Sequence, residues 1–232
     1  MIISNYHRFI FLKTQKTGGT SVQLALSEIC GPSDIITPIS ETDTLIGRGK
    51  AHQNDDIPKL WQPRLARFKY LLGFSKKAAG LLYHQHMSAT EIRAHLDPHF
   101  FDSCRKITIV RNAWDREVSL YFWTIRNLKN PPTFREFVHR YVSNPDRKTF
   151  KIYSIGGRVV ADTVLRYENL ANDYADFVVS LGVTDIPTLP NAKSSYRTAE
   201  KQDYRSFFDK RSIEAVRKRQ QREIEYFNMT FE

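Results

Sequence analysis

At 232 residues, with 41% hydrophobic and 26% charged side chains, the chain has an ordinary soluble composition and enough apolar mass for one substantial core. No run approaches the roughly 18 apolar residues of a membrane-spanning helix. The opening MIISNYHRFIFLKT lacks the basic region, long apolar stretch and small-residue cleavage site of a secretory signal, so a cytoplasmic location is expected. Cys30 and Cys104 form neither a disulfide framework nor a metal-ligand spacing, and read as buried free thiols. A net charge of +10, from 35 Lys and Arg against 25 Asp and Glu, points to an anionic partner without choosing among nucleic acid, membrane and small phosphorylated or sulfated molecules.

In chain order, Arg8 to Thr14 reads as a short apolar strand of a buried parallel sheet. Gly18-Gly19 breaks it. Ser21 to Ile29 then places Val22, Ala25, Leu26 and Ile29 on one helical face, and Gly31-Pro32 closes that helix. Residues 33–82, interrupted by Pro38, Gly47, Gly49, Pro58 and Pro63, are irregular and read as a substrate-side insertion or a partly mobile segment. Ser88 with Glu91 three residues on is a capping box, predicting a helix through Leu96 that stops before Pro98. Lys106 to Val110 is a second β-branched core strand. It is followed by helical spacing over Asp115 to Asn127 and a further amphipathic helix over Phe134 to Val142. Thr163 to Arg166 predicts a third short strand, Tyr174 to Leu181 a helix, and Ser212 to Tyr226 a basic C-terminal helix. Strands alternating with helices argue for one α/β domain over residues 1–232 with a mainly parallel central sheet.

The sharpest chemical signal is Lys16-Thr17-Gly18-Gly19-Thr20-Ser21, set between a strand and a helix. Two glycines let backbone turn closely around a ligand. The helix that follows offers unpaired N–H groups and a positive dipole end to a phosphate. Thr20 and Ser21 add hydroxyls and Lys16 a mobile cation. A Walker A loop carries its lysine after the glycines; here the lysine precedes them, which disfavours an ordinary ATP kinase or GTPase. The second signal is Arg111-Asn-Ala-Trp-Asp-Arg-Glu-Val-Ser119, directly after the second core strand, where ligands bind in open α/β sheets. Arg111 suits bidentate phosphate binding, and Ser119 on the next helix brings a hydroxyl to the same anion; a structural arginine paired with Asp115 is the plainer reading. Trp114, Tyr121, Phe122 and Trp123 read as core.

Together these two segments resemble the superfamily of sulfotransferases that use 3′-phosphoadenosine 5′-phosphosulfate (PAPS). The Arg-Asn…Trp-Asp-Arg…Ser-x-Tyr form is similar to the carbohydrate-sulfotransferase branch, with weaker matches at Val164 to Leu170 and at Tyr226-Phe227. The resemblance implies a three-layer, P-loop-like fold. Thr17 to Ser21 would hold the 5′-phosphosulfate, Lys16 the oxygen bridging phosphorus and sulfur, and Arg111 with Ser119 the 3′-phosphate. The family uses no metal, and no metal-ligand cluster is evident in the sequence. The C-terminal segment Lys193-Ser-Ser-Tyr196-Arg197-Thr resembles the basic loop that closes over the cofactor, which implies Lys193 and Arg197 as contacts and Tyr196 stacking on adenine; a solvated loop is the plainer alternative.

The acceptor hydroxyl must lose a proton, and histidine suits that role. Tyr83-His84-Gln-His86 offers two, expected on one side of an extended segment. Heparan-type uronyl 2-O-sulfotransferases carry a similar segment in which the histidines serve catalysis, so His86 is expected as base with His84 as helper, and Glu41 as the carboxylate alternative. The expected reaction moves a sulfuryl group from PAPS to a hydroxyl, of a carbohydrate by resemblance. The alternatives are a P-loop nucleotide phosphotransferase and a basic nucleic-acid binder. Arg217, Lys218, Arg219 and Arg222 read as a solvated helix face.

Overall fold

The computed structural model describes residues 1–39, 49–50, 52–55, 71–73, 82–140, 149–190 and 202–232. Its centre is a five-stranded sheet built from β1 (Ile2–Ser4), β2 (Phe9–Leu12), β3 (Ile35–Ile36), β4 (Arg105–Val110) and a last strand at Thr163–Arg166, in the order β3-β1-β2-β4-last. The three strands that include the sheet centre run parallel, with Leu12 opposite Thr108 and Val110 opposite Arg166. Both pairings of β1 are antiparallel: Ile2 faces Phe11 on one side and Ile36 on the other. The sheet is mixed but parallel through its centre, as expected; only β1 runs against the rest, because Met1 to Ser4 turns back through Asn5 to Arg8 as a hairpin. Arg8 sits at a positive φ of 55° in that turn.

Alternation along β2 divides the core. Phe9 and Phe11 point to one face with Val22, Ala25, Leu26, Phe177 and Val178. These come from α1 (Gly19–Glu28) and from the helix Leu170–Ser180. Ile10 and Leu12 point to the other face with Ile92 and Phe101, from α2 (Ala89–His95) and α3 (Pro98–Ser103). Helices on both faces of a sheet give three layers. The capping box is present as expected: Ser88 Oγ accepts from the Glu91 amide and Glu91 accepts from the Ser88 amide. This helix stops before Pro98, as expected, and Pro98 starts α3, at the first-turn position proline tolerates, behind an Asp97 cap.

A third cluster lies beyond the sheet. Trp114 and Val118 of α4 (Ala113–Ile125) pack with Phe137 of α5 (Phe134–Arg140) and with Val216 and Ile224. The C-terminal basic helix is two helices, Lys210–Arg219 and Gln221–Tyr226, broken at Gln220. Two buried ion pairs fasten them to α4: Arg116 donates twice to Glu223, and Arg219 meets Glu117 at 2.9 Å. Tyr153 also donates to Glu223, at 2.6 Å. The basic run is thus not one solvated face. Arg219, with its side chain 8% exposed, turns inward, while Arg217, Lys218 and Arg222 face solvent.

Candidate functional site

The parallel strands end side by side, and the residues after each of them meet. Lys13 to Gly18 follow β2, Arg111-Asn112 follow β4, and a 3₁₀ turn, Tyr167–Asn169, follows the last strand. Carboxyl ends of parallel strands are where α/β sheets bind ligands. Lys16 and Gly18 hold positive φ angles of 60° and 76°. For lysine that conformation costs about 1–2 kcal/mol, and a specific contact accompanies it: Arg111 Nη1 donates to the Lys16 carbonyl at 3.1 Å. A Cβ on Gly18 would stand 3.0 Å from Leu170 Cδ2 and 3.4 Å from the Tyr167 ring, and one on Gly19 would stand 3.0 Å from Lys13 Cγ. Gly18 is therefore favoured by turn geometry as well as by close approach, and Gly19 by close approach to the Lys13 side chain alone.

The start of α1 has no side-chain cap, in contrast to α2, α3 and α4, which Ser88, Asp97 and Asn112 cap. Gly19 and Thr20 thus present first-turn N–H groups that have no partner within the helix. The Thr20 hydroxyl makes no hydrogen bond among the described residues. Thr17 is different: its buried hydroxyl pairs with Thr14 at 2.8 Å, so only its backbone is left for a ligand.

Arg111 is 5% exposed and carries three contacts at once. Nε donates to Asp115 at 2.7 Å, Nη1 to Lys16, and the guanidinium lies 3.9 Å over the Tyr167 ring. The plain structural pairing with Asp115 is therefore real, and it coexists with contact to the glycine turn. Nη2 makes no hydrogen bond among the described residues. Asp115, Ser119 and Trp123 lie four residues apart on one face of α4. Lys16 reaches the Trp123 end of this stripe through Nζ, 5.7 Å from the ring centroid, and its carbonyl meets Arg111, the partner of Asp115 at the other end. Ser119 lies between these contacts, half-buried, its hydroxyl without a partner among the described residues. Trp123 is not core: it is 39% exposed, with Arg126 stacked 4.2 Å from its ring centroid, whereas Trp114 is buried.

The histidine segment also reaches this place. His86 Nδ1 donates to the Lys13 carbonyl at 2.9 Å, which fixes the tautomer and leaves Nε2 as the ring's acceptor. Burial, opposed by that hydrogen bond and reinforced by the Lys13 ammonium, lowers the His86 pKa to about 4. The segment is not extended: the Met87 amide donates to the His84 carbonyl at 3.4 Å, closing a turn. The alternation expected to align His84 with His86 is therefore absent. Lys193, Tyr196, Arg197 and Glu41 lie outside the described residues, as does most of 33–82.

Sequence reasoning gave no role to Lys13 or Gln85, and took Tyr167 only as part of the weak match over Val164 to Leu170. Tyr167 supplies the floor under Arg111 and packs on Gly18, and its neighbour Glu168 accepts from the Asn112 amide at 2.8 Å. Its signal was the Tyr-Glu-Asn run directly after a strand. Comparison with protein-family models, with curated proteins and with solved structures finds no match for the chain.

Proposed function

We propose that the protein is a PAPS-dependent sulfotransferase with a P-loop-like fold, transferring a sulfuryl group to a hydroxyl, of a carbohydrate by resemblance. The observation that carries this reading is the Arg111–Lys16 contact, which puts the arginine after one core strand against the glycine turn after its neighbour. The uncapped amides of α1 and the Thr20 hydroxyl suit the 5′-phosphosulfate. Arg111, through its remaining amino group, and Ser119 suit the 3′-phosphate. The glycine turn that a Cβ would crowd, and the arginine held rigid on Tyr167, fit an anionic nucleotide.

In this mechanism Lys16 sets its ammonium beside the oxygen that bridges phosphorus and sulfur. As the S–O bond breaks, negative charge grows on that oxygen, so the lysine stabilises the transition state more than the ground state. His86 accepts the acceptor's proton at Nε2 while Nδ1–H stays on the Lys13 carbonyl. The S–O bond to the alcohol forms as the bond to the leaving phosphate breaks, and the products are a sulfate ester and adenosine 3′,5′-bisphosphate.

The test is transfer of label from ³⁵S-PAPS to a panel of sugars and simple alcohols without added metal. Label in a sulfate ester from wild type, and none with Lys16→Ala, supports the reading. Magnesium-dependent consumption of ATP with no transfer from PAPS would replace it with the phosphotransferase alternative.

A further inference from the structure

Lys13 is an unusual residue for its position. It follows the last residue of a core strand, is 2% exposed, and yet carries a charge-bearing side chain. Its Nζ donates to Gln23 Oε1 of α1 at 2.9 Å and to Gln85 Oε1 at 3.2 Å. Gln23 continues inward, donating to the Thr37 carbonyl at 2.6 Å, and Gln85 donates to the Pro38 carbonyl. The Lys13 aliphatic stem fills the space a side chain at Gly19 would need. Its main-chain carbonyl takes the proton of His86 Nδ1. One residue therefore touches the first turn of the anion-binding helix, the glutamine between the two histidines, and the imidazole itself.

We propose that Lys13 is a positioning residue that locks the His86 ring in register with the glycine loop, its carbonyl selecting the ring tautomer and its buried ammonium clamping Gln85 to Gln23. This deepens the sulfotransferase reading and rests on it for the meaning of His86, but the clamp itself is a statement about geometry. A hydrophobic residue here would fill the same volume and lose both hydrogen bonds. His86 would then be held by one backbone contact, on a segment whose turn is closed by a hydrogen bond of 3.4 Å. Among the described residues, the charged and titratable groups facing His86 are the Lys13 ammonium, the Met1 amino group and His84. Removing the first removes the strongest of these three charge effects against the imidazolium.

The experiment compares Lys13→Met, Gln85→Ala and the double variant in the full chain. It reads the His86 ring by ¹⁵N NMR, calorimetric affinity for adenosine 3′,5′-bisphosphate, and release of labelled sulfate from PAPS to water. In wild type the ring is expected as the Nδ1–H tautomer with a midpoint near pH 4. Lys13→Met is expected to raise that midpoint by about one unit and to slow release roughly tenfold to a hundredfold, as misplacement of a reacting group does. Nucleotide affinity should stay within about threefold, a sub-kilocalorie change. Gln85→Ala keeps the ammonium but frees the His84–Met87 turn and lets water reach the ring, relieving the burial that chiefly lowers its midpoint, so the midpoint should move in the same direction. The double variant should be no worse than Lys13→Met, since both act through one contact. An unmoved midpoint in both single variants, or losses that simply add, overturns the proposal. Should Lys13→Met fail to fold, Gln85→Ala alone decides by the same midpoint. Should wild type fail to bind the nucleotide, the sulfotransferase reading falls while the NMR result still judges the clamp.

Discussion

The guanidinium of Arg111 donates to the carbonyl of Lys16 at 3.1 Å, tying two residues 95 positions apart in sequence across the ends of adjacent parallel strands. The contact supports a lysine in the left-handed region and sets an arginine beside the first turn of α1.

Arg111→Lys keeps the charge but loses the planar fork, the stacking on Tyr167 and the Nε–Asp115 bond. Loss of a hydrogen bond to a charged group is worth about 1.5–3 kcal/mol. Affinity for adenosine 3′,5′-bisphosphate is therefore expected to drop roughly tenfold to a hundredfold by calorimetry. Affinity for 5′-AMP, which lacks the 3′-phosphate, should change less; equal losses for both would remove Arg111 from the 3′-phosphate.

Gly18→Ala places a side chain at a φ of 76° and within 3.0 Å of Leu170 Cδ2. The conformation alone costs about 1–2 kcal/mol. Urea denaturation should show a lower midpoint with an unchanged slope, and nucleotide binding should weaken as the turn shifts. A wild-type midpoint would mean the turn relaxes freely.

His86 has a lowered folded pKa, about 4 against an ordinary 6.5, because burial disfavours the imidazolium. Between those values the unfolded chain binds the proton and the folded chain does not. Stability from the neutral ring is therefore complete above pH 6.5 and declines as pH falls toward 4. Relative to His86→Asn, wild type should lose unfolding free energy across that window and nowhere above it. A bound anionic nucleotide favours the imidazolium, so adenosine 3′,5′-bisphosphate is expected to raise the NMR midpoint of His86. A midpoint that ignores saturating nucleotide would place the ring away from the ligand.

Arg116→Met leaves Glu223 buried without its main partner, although Tyr153 still donates to it. Breaking one side of a buried pair costs about 3–5 kcal/mol. The C-terminal helices should loosen first, visible as faster amide exchange over Gln221–Tyr226, with the glycine loop unaffected in comparison.

Much of this architecture was legible because its signals are local. The strand Phe9–Leu12, the helix after Gly19, the capping box at Ser88 and the strand ending at Val110 each rest on a few neighbouring residues. The loop and the arginine were found as residue types after strands, which is where a parallel sheet gathers them. The edge strand Ile2–Ser4 was missed because three residues carry no period, and it acquires its identity only by pairing with Phe9–Phe11. Trp123 and Arg219 were misassigned for one reason. An aromatic or a basic residue on a helix declares its face only once the neighbours are known, and here Lys16 and Glu117 decide. Lys13 was invisible because a lysine at a strand end reads as surface until Gln23 and Gln85 close over it.

The most direct test of the central claim is titration of the purified chain with adenosine 3′,5′-bisphosphate in a calorimeter. One nucleotide per chain is expected to bind, more tightly than 5′-AMP, and Arg111→Ala is expected to erase that preference. No binding heat at millimolar nucleotide, confirmed by an unchanged melting temperature, would contradict the account.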